Sequence, residues 1–405
     1  MKVIRILLVA LIGAGALISP AAYGLPPLQL FVEITPTGGI LRPPPGTYAG
    51  PVIIDRPMTL DGGGQVTIDA EGEGTVLTVT ADGATVRGVR LTNSGDSFDQ
   101  VDAGLLLKAD GTTLEDNVID DTLFGIHLSQ ANRNVIRENR ISSKSRAIKM
   151  RGDGIRLWNS HENRIEVNTI SDVRDVFITN SHGNRFSSNQ ISRSGVGMQF
   201  VFSPDNRIDG NTLDDNQTGI VAIYSDNLAI RANRIRHARD INGSAFALKE
   251  SSKIVIEGNE VLHCAVGILA NAPIHPENIF YLRRNRFAYN DIAMYFYGEK
   301  GGHVIHDNRF EQNLLLVAVS AVTAAQDNDW RGNYWDNYAG FDRDENGFGD
   351  TPYEFVSYSD RLWLDRPMTR FFRGSPILEM VDFVERLAPF SNPKIVLRDP
   401  APRMR

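Results

Sequence analysis

Asparagine returns along the chain in one local context, at a spacing of 21 to 29 residues. Three copies of one unit show the repeat: NRIEVNTI at 163–170, NRFSSNQI at 184–191 and NRIDGNTL at 206–213. A period of this length is typical of a solenoid, in which each repeat packs only on its neighbours. The asparagines that carry it are Asn117, Asn139, Asn168, Asn189, Asn211, Asn233, Asn259, Asn285, Asn308 and Asn333.

Apolar and polar residues alternate within each unit, as around Ile165 and Val167. This two-residue period belongs to a strand and excludes helical repeats, while the absence of a regular leucine scaffold excludes leucine-rich repeats. The sequence therefore predicts an all-β right-handed parallel β-helix of roughly eleven to thirteen coils. We expect the asparagines to stack as a ladder at one corner, because Asn tolerates a left-handed turn and its amide can bond to the next coil.

Alignment of the coils on the asparagines assigns each strand residue to a face. The pairs expected to stack inward are Ile155/Leu157, Val176/Ile178, Met198/Phe200, Ile220/Ala222 and Phe246/Leu248. Their outward neighbours are unusually apolar, and an exposed apolar surface often marks a binding site. Trp158, Phe177 and Val201 are therefore predicted to contact a partner protein.

The N-terminus has the pattern of a signal peptide. Lys2 and Arg5 precede an apolar run that ends at Ile18, and Ala22-Tyr23-Gly24 offers a cleavage site. Loss of these two cations leaves 40 basic residues of the original 42, against 49 acidic ones. The acidic excess argues against nucleic acid as a partner. Cys264 is the only cysteine, so the chain cannot form an intrachain disulfide.

The other end predicts one helix, over residues 376–388. Ser375 suits the N-cap and Pro376 the first helical position, and an apolar stripe runs through Val381. We expect this helix to pack against the C-terminal half of the β-helix or its end, where Leu314–Val319 is apolar on both faces. The alternative is that the helix is free in the isolated protein and docks on a partner. The predicted division is a signal peptide at 1–24, the β-helix at 25–335, an aspartate and aromatic loop region at 336–374, and the helix with a disordered tail at 375–405.

The segment DRDENGFGD at 342–350 resembles a calcium-binding loop. Its oxygen ligands would be Asp342, Asp344, Asn346 and Asp350, at the first, third, fifth and ninth places. The twelfth place, where the pattern requires a bidentate Glu, holds Tyr353. A calcium site and a rigid turn without metal both stay open.

His161 and His182 occupy equivalent places in NSHENRI and NSHGNRF, so they should lie one coil apart. Two neighbouring imidazoles could hold one copper ion. The alternative is a polar turn column, since Asn132, Pro204 and Asp226 take the same place in other coils. His263-Cys264 is a second candidate for a soft ion such as Cu(I).

Parallel β-helices often act on acidic polysaccharides, which would require carboxylates that converge on one groove. The tandem acids Asp120-Asp121 and Asp214-Asp215 point to opposite faces, because neighbours along a strand alternate. No catalytic residue is predicted. A polysaccharide lyase, hydrolase or epimerase is the main alternative function, and a passive surface adhesin is the third.

The segment GNYWDNYAGFDRDENGFGDTPY at 332–353 closely resembles the C-terminal signature of the NosD family, periplasmic accessory proteins of nitrous oxide reductase maturation. The resemblance extends to the opening LRPPPGTYAGPVIIDRPMTLDG, the coils and the terminal helix. It implies an accessory role, not catalysis, with an ABC-type ATPase and membrane permease (NosF and NosY), the copper lipoprotein NosL and the reductase NosZ as partners.

The resemblance further implies a soluble periplasmic protein, associated with an inner-membrane complex, that supports copper-centre assembly through copper delivery or sulfur supply. Transient copper or calcium would be its metals. The resemblance supplies no metal-ligand residues, so the candidate ligands named above depend on this sequence alone.

Overall fold

One long parallel β-solenoid dominates the molecule. The computed structural model describes residues 24–271, 279–298, 300–320, 323–357, 380, 384 and 394–404. Each coil contributes one strand to a 12-stranded parallel sheet, here sheet B, and most contribute two to a 24-stranded sheet, here sheet A. The predicted parallel β-helix and its coil number are therefore confirmed. Among these residues, no helix is both long and apolar enough to cross a membrane.

Sheet B takes one short strand from every coil. Its strands are Val52–Ile54, Leu77–Val79, Ala103–Leu107, Phe124–Ser129, Ile155–Trp158, Asp175–Thr179, Val196–Val201, Thr218–Ile223, Phe246–Lys249, Val266–Asn271, Ile292–Tyr297 and Leu315–Val319.

Sheet A wraps the rest of each coil. Its strands are Ile40–Leu41, Gly46–Ala49, Thr59–Asp69, Thr85–Thr92, Thr113–Glu115, Val118–Thr122, Val135–Arg137, Arg140–Ser143, Arg164–Glu166, Thr169–Ser171, Arg185–Ser187, Gln190–Ser192, Arg207–Asp209, Thr212–Asp214, Ala229–Arg231, Arg234–Arg236, Ile254–Glu257, Glu260–Leu262, Phe280–Arg283, Arg286–Ala288, Val304–His306, Arg309–Glu311, Asp329–Arg331 and Tyr334–Trp335.

Short elements lie at the ends and in one loop. The helix Gln29–Ile34 opens the described chain and buries Val32. A 3-10 turn at Ile148–Met150 and a helix at Thr323–Gln326 follow. The strands Tyr353–Ser357 and Lys394–Asp399 then pair with each other in antiparallel fashion.

The core is a stack of equivalent apolar side chains, one layer from each coil. Ile155, Leu157, Val176, Ile178 and their partners in the next coils are all inaccessible to solvent. Adjacent coils keep this register, since Ile155 pairs with Val176 and Leu157 with Ile178. The inward assignment made from the asparagine alignment is confirmed at every pair.

The ten asparagines form one buried ladder at the corner between the two sheet A strands of a coil. In each but the last, the backbone N–H and the side-chain amide donate to the Oδ1 of the next asparagine, as from Asn168 to Asn189, where both distances are 3.0 Å. None of the ten is more than 1% exposed. The stacking at one corner is confirmed.

The expected backbone conformation of these asparagines was wrong. The left-handed residue is the one before each asparagine, such as Val167 (φ 57°), Ser188 (φ 56°) or Gly210 (φ 66°). That residue turns the chain and points its side chain outward, which leaves the asparagine to aim its amide along the column. Asparagine is present for its hydrogen bonds, not for its tolerance of positive φ.

The C-terminal tail is ordered, so the predicted disorder was wrong. Asp399 is fully buried and takes the place that an asparagine of a further coil would occupy. Its Oδ2 accepts hydrogen bonds from the Asn333 backbone N–H (3.0 Å), the Asn333 side-chain amide (3.1 Å) and Trp335 Nε1 (3.2 Å). The strand Lys394–Asp399 thereby closes the ladder, and the last donors of the solenoid are satisfied.

A segment after the coils covers sheet B near its C-terminal end. Leu315 and Ala318 are buried on the outward side, in a cluster with Ile292 that Phe355 contacts. The predicted double-sided burial of this run is found except at Leu314, which is 71% exposed. Among the described residues after the coils, Phe355 of the strand Tyr353–Ser357 is the one that packs on this cluster, a contact that the sequence did not indicate.

Most of the predicted helix at 376–388, like nearly all of the predicted signal peptide, lies outside the described residues. Its two described members, Met380 and Val384, have helical backbone and are 65% and 42% exposed. The packing of this helix stays a prediction.

Candidate docking face and metal-binding sites

The middle of sheet B presents an apolar outward face. Trp158, Thr179, Val201 and Ile223 follow one another in register across four coils. Trp158 is 39% exposed and the others are half-buried. We call this surface the open face and define it by Arg156, Trp158, Phe177, Thr179, Gln199, Val201, Val221, Ile223, Ala247 and Lys249.

Two long loops bound the open face on its N-terminal side. Lys144 and Arg146 of one loop each donate to Asp96 of the other at 2.7 Å. Beneath this contact, Phe98 packs edge-on against Phe124 at 5.7 Å between ring centroids. The loops lie about fifty residues apart in the chain, and the ion pairs hold them together as a wall.

Two exposed aromatic rings extend the apolar surface at the corner where sheet B leads into sheet A. Phe202 and Tyr224 stack at 5.2 Å with their planes 4° apart. They are 54% and 49% exposed, and both have left-handed backbone (φ 49° and 48°). The left-handed place is the regular turn after each sheet B strand, since Asn180 and Glu250 adopt it in the neighbouring coils, and it points both rings into solvent.

A polar cluster lies at the wall of the open face. Asp153 is fully buried, and its Oδ1 accepts two hydrogen bonds from Arg174, at 2.7 and 3.0 Å. Burial raises the pKa of Asp153 to about 6, against the opposing effect of the Arg174 charge. Burial also raises the pKa of Asp175. Sequence reasoning missed this cluster, because the two loops that enclose it meet only in the folded chain.

His127 lies beside this cluster, in register with Arg156. Both ring nitrogens are buried and lack a hydrogen-bond partner within the described residues. Burial, together with the positive charge of Arg156, lowers the pKa of His127 to about 4. The imidazole is therefore neutral at neutral pH.

The predicted histidine pair lies one coil apart, as the register required. The His161 and His182 rings stack with centroids 4.0 Å apart and planes inclined by 26°. The His182 backbone N–H donates to His161 Nδ1 at 3.2 Å. Burial and the neighbouring His182 lower the pKa of His161, which favours the neutral ring.

This stacking restricts how the pair could hold copper. A neutral imidazole has one nitrogen lone pair, and the lone pair of His161 is engaged at Nδ1. Stacked rings also direct their in-plane lone pairs side by side, whereas ligands of one ion must converge on it. A shared copper ion therefore requires His161 to give up its bond to the His182 amide. The copper pair stays a prediction.

The side chains of His263 and Cys264 lie in different environments. His263 is exposed, in a column of stacked rings between His237 and Tyr289. Cys264 is fully buried, and burial raises its thiol pKa to about 12. A thiol in this environment stays protonated and is a poor ligand for a soft metal.

Hydrogen bonds among its own residues hold the aspartate loop in shape. Asp342 accepts from the backbone N–H groups of Asn346 (3.1 Å) and Gly347 (2.8 Å), and Asp350 accepts from that of Arg343 (2.8 Å). The Asn346 amide donates to Asp344 at 2.8 Å. Within the described residues, no cluster of three or more His, Cys, Asp or Glu side chains is arranged to hold a metal. The calcium site stays a prediction.

One acid of each tandem pair is engaged in an ion pair. Asp120 pairs with Arg90 at 3.0 Å, and Asp214 pairs with Arg236 at 2.6 Å. Asp214 also contacts His237 Nδ1 at 2.8 Å. These contacts join neighbouring coils, so Asp120 and Asp214 help to hold one coil on the next.

Solved structures share the fold. The chain superimposes on the catalytic domain of a GH87 α-1,3-glucanase in complex with nigerose, with a TM-score of 0.53 and 11% identity. The match covers 71% of this chain and 64% of that one, so the chain spans less than two thirds of that structure. At this identity the likeness shows the fold alone.

Two curated relatives match nearly the whole chain. The chain is 30% identical over 393 residues to the "Probable ABC transporter binding protein NosD" of Pseudomonas aeruginosa, which covers 89% of this chain and 87% of that protein. It is 25% identical over 404 residues to the protein of the same name from Stutzerimonas stutzeri, which covers 92% and 89%.

Family models agree with these relatives. One described as "Periplasmic copper-binding protein (NosD)" matches residues 142–340, which include most of the open face's coils and the start of the post-coil region. Another, described as a protein of unknown function, matches residues 44–199. With the asparagine-ladder solenoid and these matches together, the chain belongs to the NosD family.

Proposed function

We propose that this chain is a periplasmic accessory protein that assists assembly of the copper centres of nitrous oxide reductase. In this role it works with an ABC transporter, and the open face is its docking surface for a maturation partner. Family membership and the names of the relatives support the role. The observation that carries the docking surface is the row of apolar side chains through Trp158 and Val201, left uncovered by the described residues.

The geometry supports a scaffold better than an enzyme. The open face is mostly apolar, and Asp120 and Asp214, one acid of each tandem pair, are engaged in ion pairs between coils. A protein that presents one unpaired apolar face on a rigid rod is suited to hold a partner in a fixed position. The transferred species, copper or a sulfur compound, is cargo in this proposal and not a resident cofactor.

Deletion of the gene in a host that respires nitrous oxide tests the role. The reductase is expected to be exported but to lack a copper centre, and its copper content measured by mass spectrometry should fall with its activity. Complementation with the wild-type gene should restore both. Fully metallated, active reductase in the deletion strain would contradict the proposal.

Copper contact by this chain is proposed at His161 and His182. Anaerobically purified protein, incubated with Cu(I) and desalted, should retain copper that the His161→Gln/His182→Gln variant does not retain. His237→Gln is the matched control, because His237 also belongs to a stacked histidine column. Equal copper in all three proteins would show that the pair is only a turn column.

Calcium is proposed at the aspartate loop. Chelator should then lower the melting temperature of the wild type, and Asp344→Ala should abolish the difference between treated and untreated protein. No effect of chelator on the wild type would leave the loop as a turn held by its own hydrogen bonds.

A further inference from the structure

Arg156 is a cation set into the apolar open face. Its neighbours in register on the adjacent strands are His127 and Phe177. The guanidinium carbon lies 5.8 Å from the Phe124 ring centroid and 5.6 Å from that of Phe177. The side chain is 27% exposed. These contacts fix the guanidinium against the sheet, so it is partly pre-organised before any ligand arrives.

The donors of Arg156 are largely unused. Its Nε is buried and has no hydrogen-bond partner within the described residues. The contact with the Asp153 carboxylate, from Nη1 to Oδ2, measures 3.6 Å, which exceeds hydrogen-bond distance. The other oxygen of Asp153 is occupied by Arg174 at 2.7 Å. Two guanidinium groups thus share one buried carboxylate, and Arg156 has the weaker contact.

This arrangement constrains what can cover the open face. A partner that buried Trp158 and Val201 with apolar groups alone would also strip water from the guanidinium of Arg156. Burial of a charge without a hydrogen-bonded partner is strongly unfavourable. The partner must therefore supply an acceptor, and a carboxylate matches the planar fork of arginine through two parallel hydrogen bonds.

We propose that the protein that docks on the open face places an aspartate or glutamate carboxylate on Arg156, between apolar side chains that cover Trp158 and Val201. The inference depends on the proposed function, because it takes the open face as a docking surface. The net charge of the whole chain is −7, which disfavours acidic proteins at long range. The pair therefore selects a partner at contact and does not speed its approach.

Binding measurements on purified proteins separate this inference from the proposed function. Two probes are used: nitrous oxide reductase without copper, and the ABC transporter complex in detergent. Each is titrated against the wild type and against Trp158→Ala by biolayer interferometry. The probe whose binding weakens with Trp158→Ala is the one that uses the open face.

For that probe, Arg156→Gln should weaken binding by about thirtyfold or more, because it leaves the partner carboxylate buried without its cation. Arg156→Lys should lose less, since it keeps the charge and loses the fork. Arg185→Gln is the matched control: this arginine lies on the outward face of sheet A, 53% exposed and 3.7 Å from Asp209. It should bind like the wild type.

A charge exchange identifies the carboxylate. Arg156→Glu should abolish binding, and replacement of one acidic residue of the partner by arginine should restore it, while replacement of the other acidic residues should not. Thermal unfolding of every variant checks that the fold is kept. Arg156→Met, which retains the apolar stem, separates lost charge from lost packing if Arg156→Gln unfolds early.

The possible results are distinct. If Trp158→Ala binds both probes as well as the wild type does, the docking surface in the proposed function fails and this inference fails with it. If Trp158→Ala weakens binding but Arg156→Gln and Arg156→Met stay within twofold of the wild type, the docking surface stands and the carboxylate contact is wrong. If no exchanged acid restores binding to Arg156→Glu, the contact is also wrong.

Discussion

The outward faces of the two sheets differ in how their charged side chains are paired. On sheet A, arginine and acidic side chains of neighbouring coils pair along the rod: Arg234 with Glu260 at 2.6 Å, then Arg286 with Glu260 at 2.9 Å and with Glu311 at 2.7 Å. On the open face of sheet B, Arg156 is the one arginine, and its ion pair with Asp153 measures 3.6 Å.

The contrast distinguishes a face whose charges are paired within the chain from a face whose side chains are available to a partner. Charges that neutralise one another along sheet A keep that face hydrated and leave few unsatisfied groups for a partner. Sheet B carries the same backbone pattern, yet six of the ten residues that define its open face are apolar, and Arg156 among the others has only a long contact with Asp153. Because both faces stack on one core, a difference in stability does not explain it. The proposed recruitment of a partner offers an explanation.

The largest expected effect compares two adjacent residues on opposite sides of sheet B. Phe200 is fully buried and packs edge-on against Phe186 at 5.6 Å. Phe200→Ala should lower the free energy of unfolding by about 3 to 5 kcal/mol, because it leaves a cavity between coils. Val201→Asp, on the open face, should change it by about 1 kcal/mol or less but abolish reductase maturation.

Urea unfolding and reductase copper content, measured on both variants, check this pair. Gln190→Asp, on the exposed outward side of sheet A, is the control and should alter neither quantity appreciably. Normal maturation with Val201→Asp would remove the functional difference between the two sheets.

The next effect is the pH dependence of the buried groups beside the open face. Asp153 has a folded pKa of about 6 against an ordinary value of 3.8, so the folded state binds its proton more tightly. The stability that this gives below pH 4 is lost as pH rises through 6, by about 2 to 3 kcal/mol. Asp153→Asn should remove that loss.

His127 acts in the other direction. Its folded pKa of about 4 lies below the ordinary 6.5, so its contribution is present above pH 6.5 and is lost as pH falls through 4. The two dependences offset each other in the wild type. As pH rises from 4 to 6.5, the free energy of unfolding of Asp153→Asn should therefore increase relative to that of the wild type. That of His127→Gln should decrease.

Denaturant unfolding at several pH values between 4 and 7 measures these slopes, each taken as a difference from the wild type. The double variant Asp153→Asn/His127→Gln should return to a slope near that of the wild type. If the free energy of unfolding of each single variant changes with pH as that of the wild type does, the two groups titrate normally.

The smallest effect belongs to sheet A. Arg234 is 55% exposed, so its ion pair with Glu260 is screened by water. Arg234→Gln should change the free energy of unfolding by about 0.5 kcal/mol or less and leave maturation intact. Urea unfolding in low and high salt checks this, and a loss of maturation would show that sheet A also binds a partner.

The repeat made the fold and the facing of residues predictable. A two-residue period assigns Phe200 inward and Val201 outward without any knowledge of the tertiary structure, because alternation is a property of the single strand. The same alignment placed His161 over His182. Both inferences use separations of one coil, which the sequence displays directly.

What could not be predicted depends on contacts that the repeat does not encode. Asp399 closes the asparagine ladder from 66 residues beyond Asn333, and nothing in its local sequence indicates a buried acceptor. The wall of the open face likewise needs Lys144 to meet Asp96, 48 residues away. The left-handed residue before each asparagine was missed because Val167 and Ser188 have no local preference for that conformation.

Site-specific photo-cross-linking in living cells tests the central claim most directly. A photoreactive phenylalanine analogue is placed at Val201 on the open face, or at Gln190 on sheet A, in a strain that assembles active nitrous oxide reductase. Adducts are expected from Val201 only, and mass spectrometry should identify the ABC permease, the copper lipoprotein or the reductase in them. Adducts with these proteins from Gln190 but not from Val201 would contradict it.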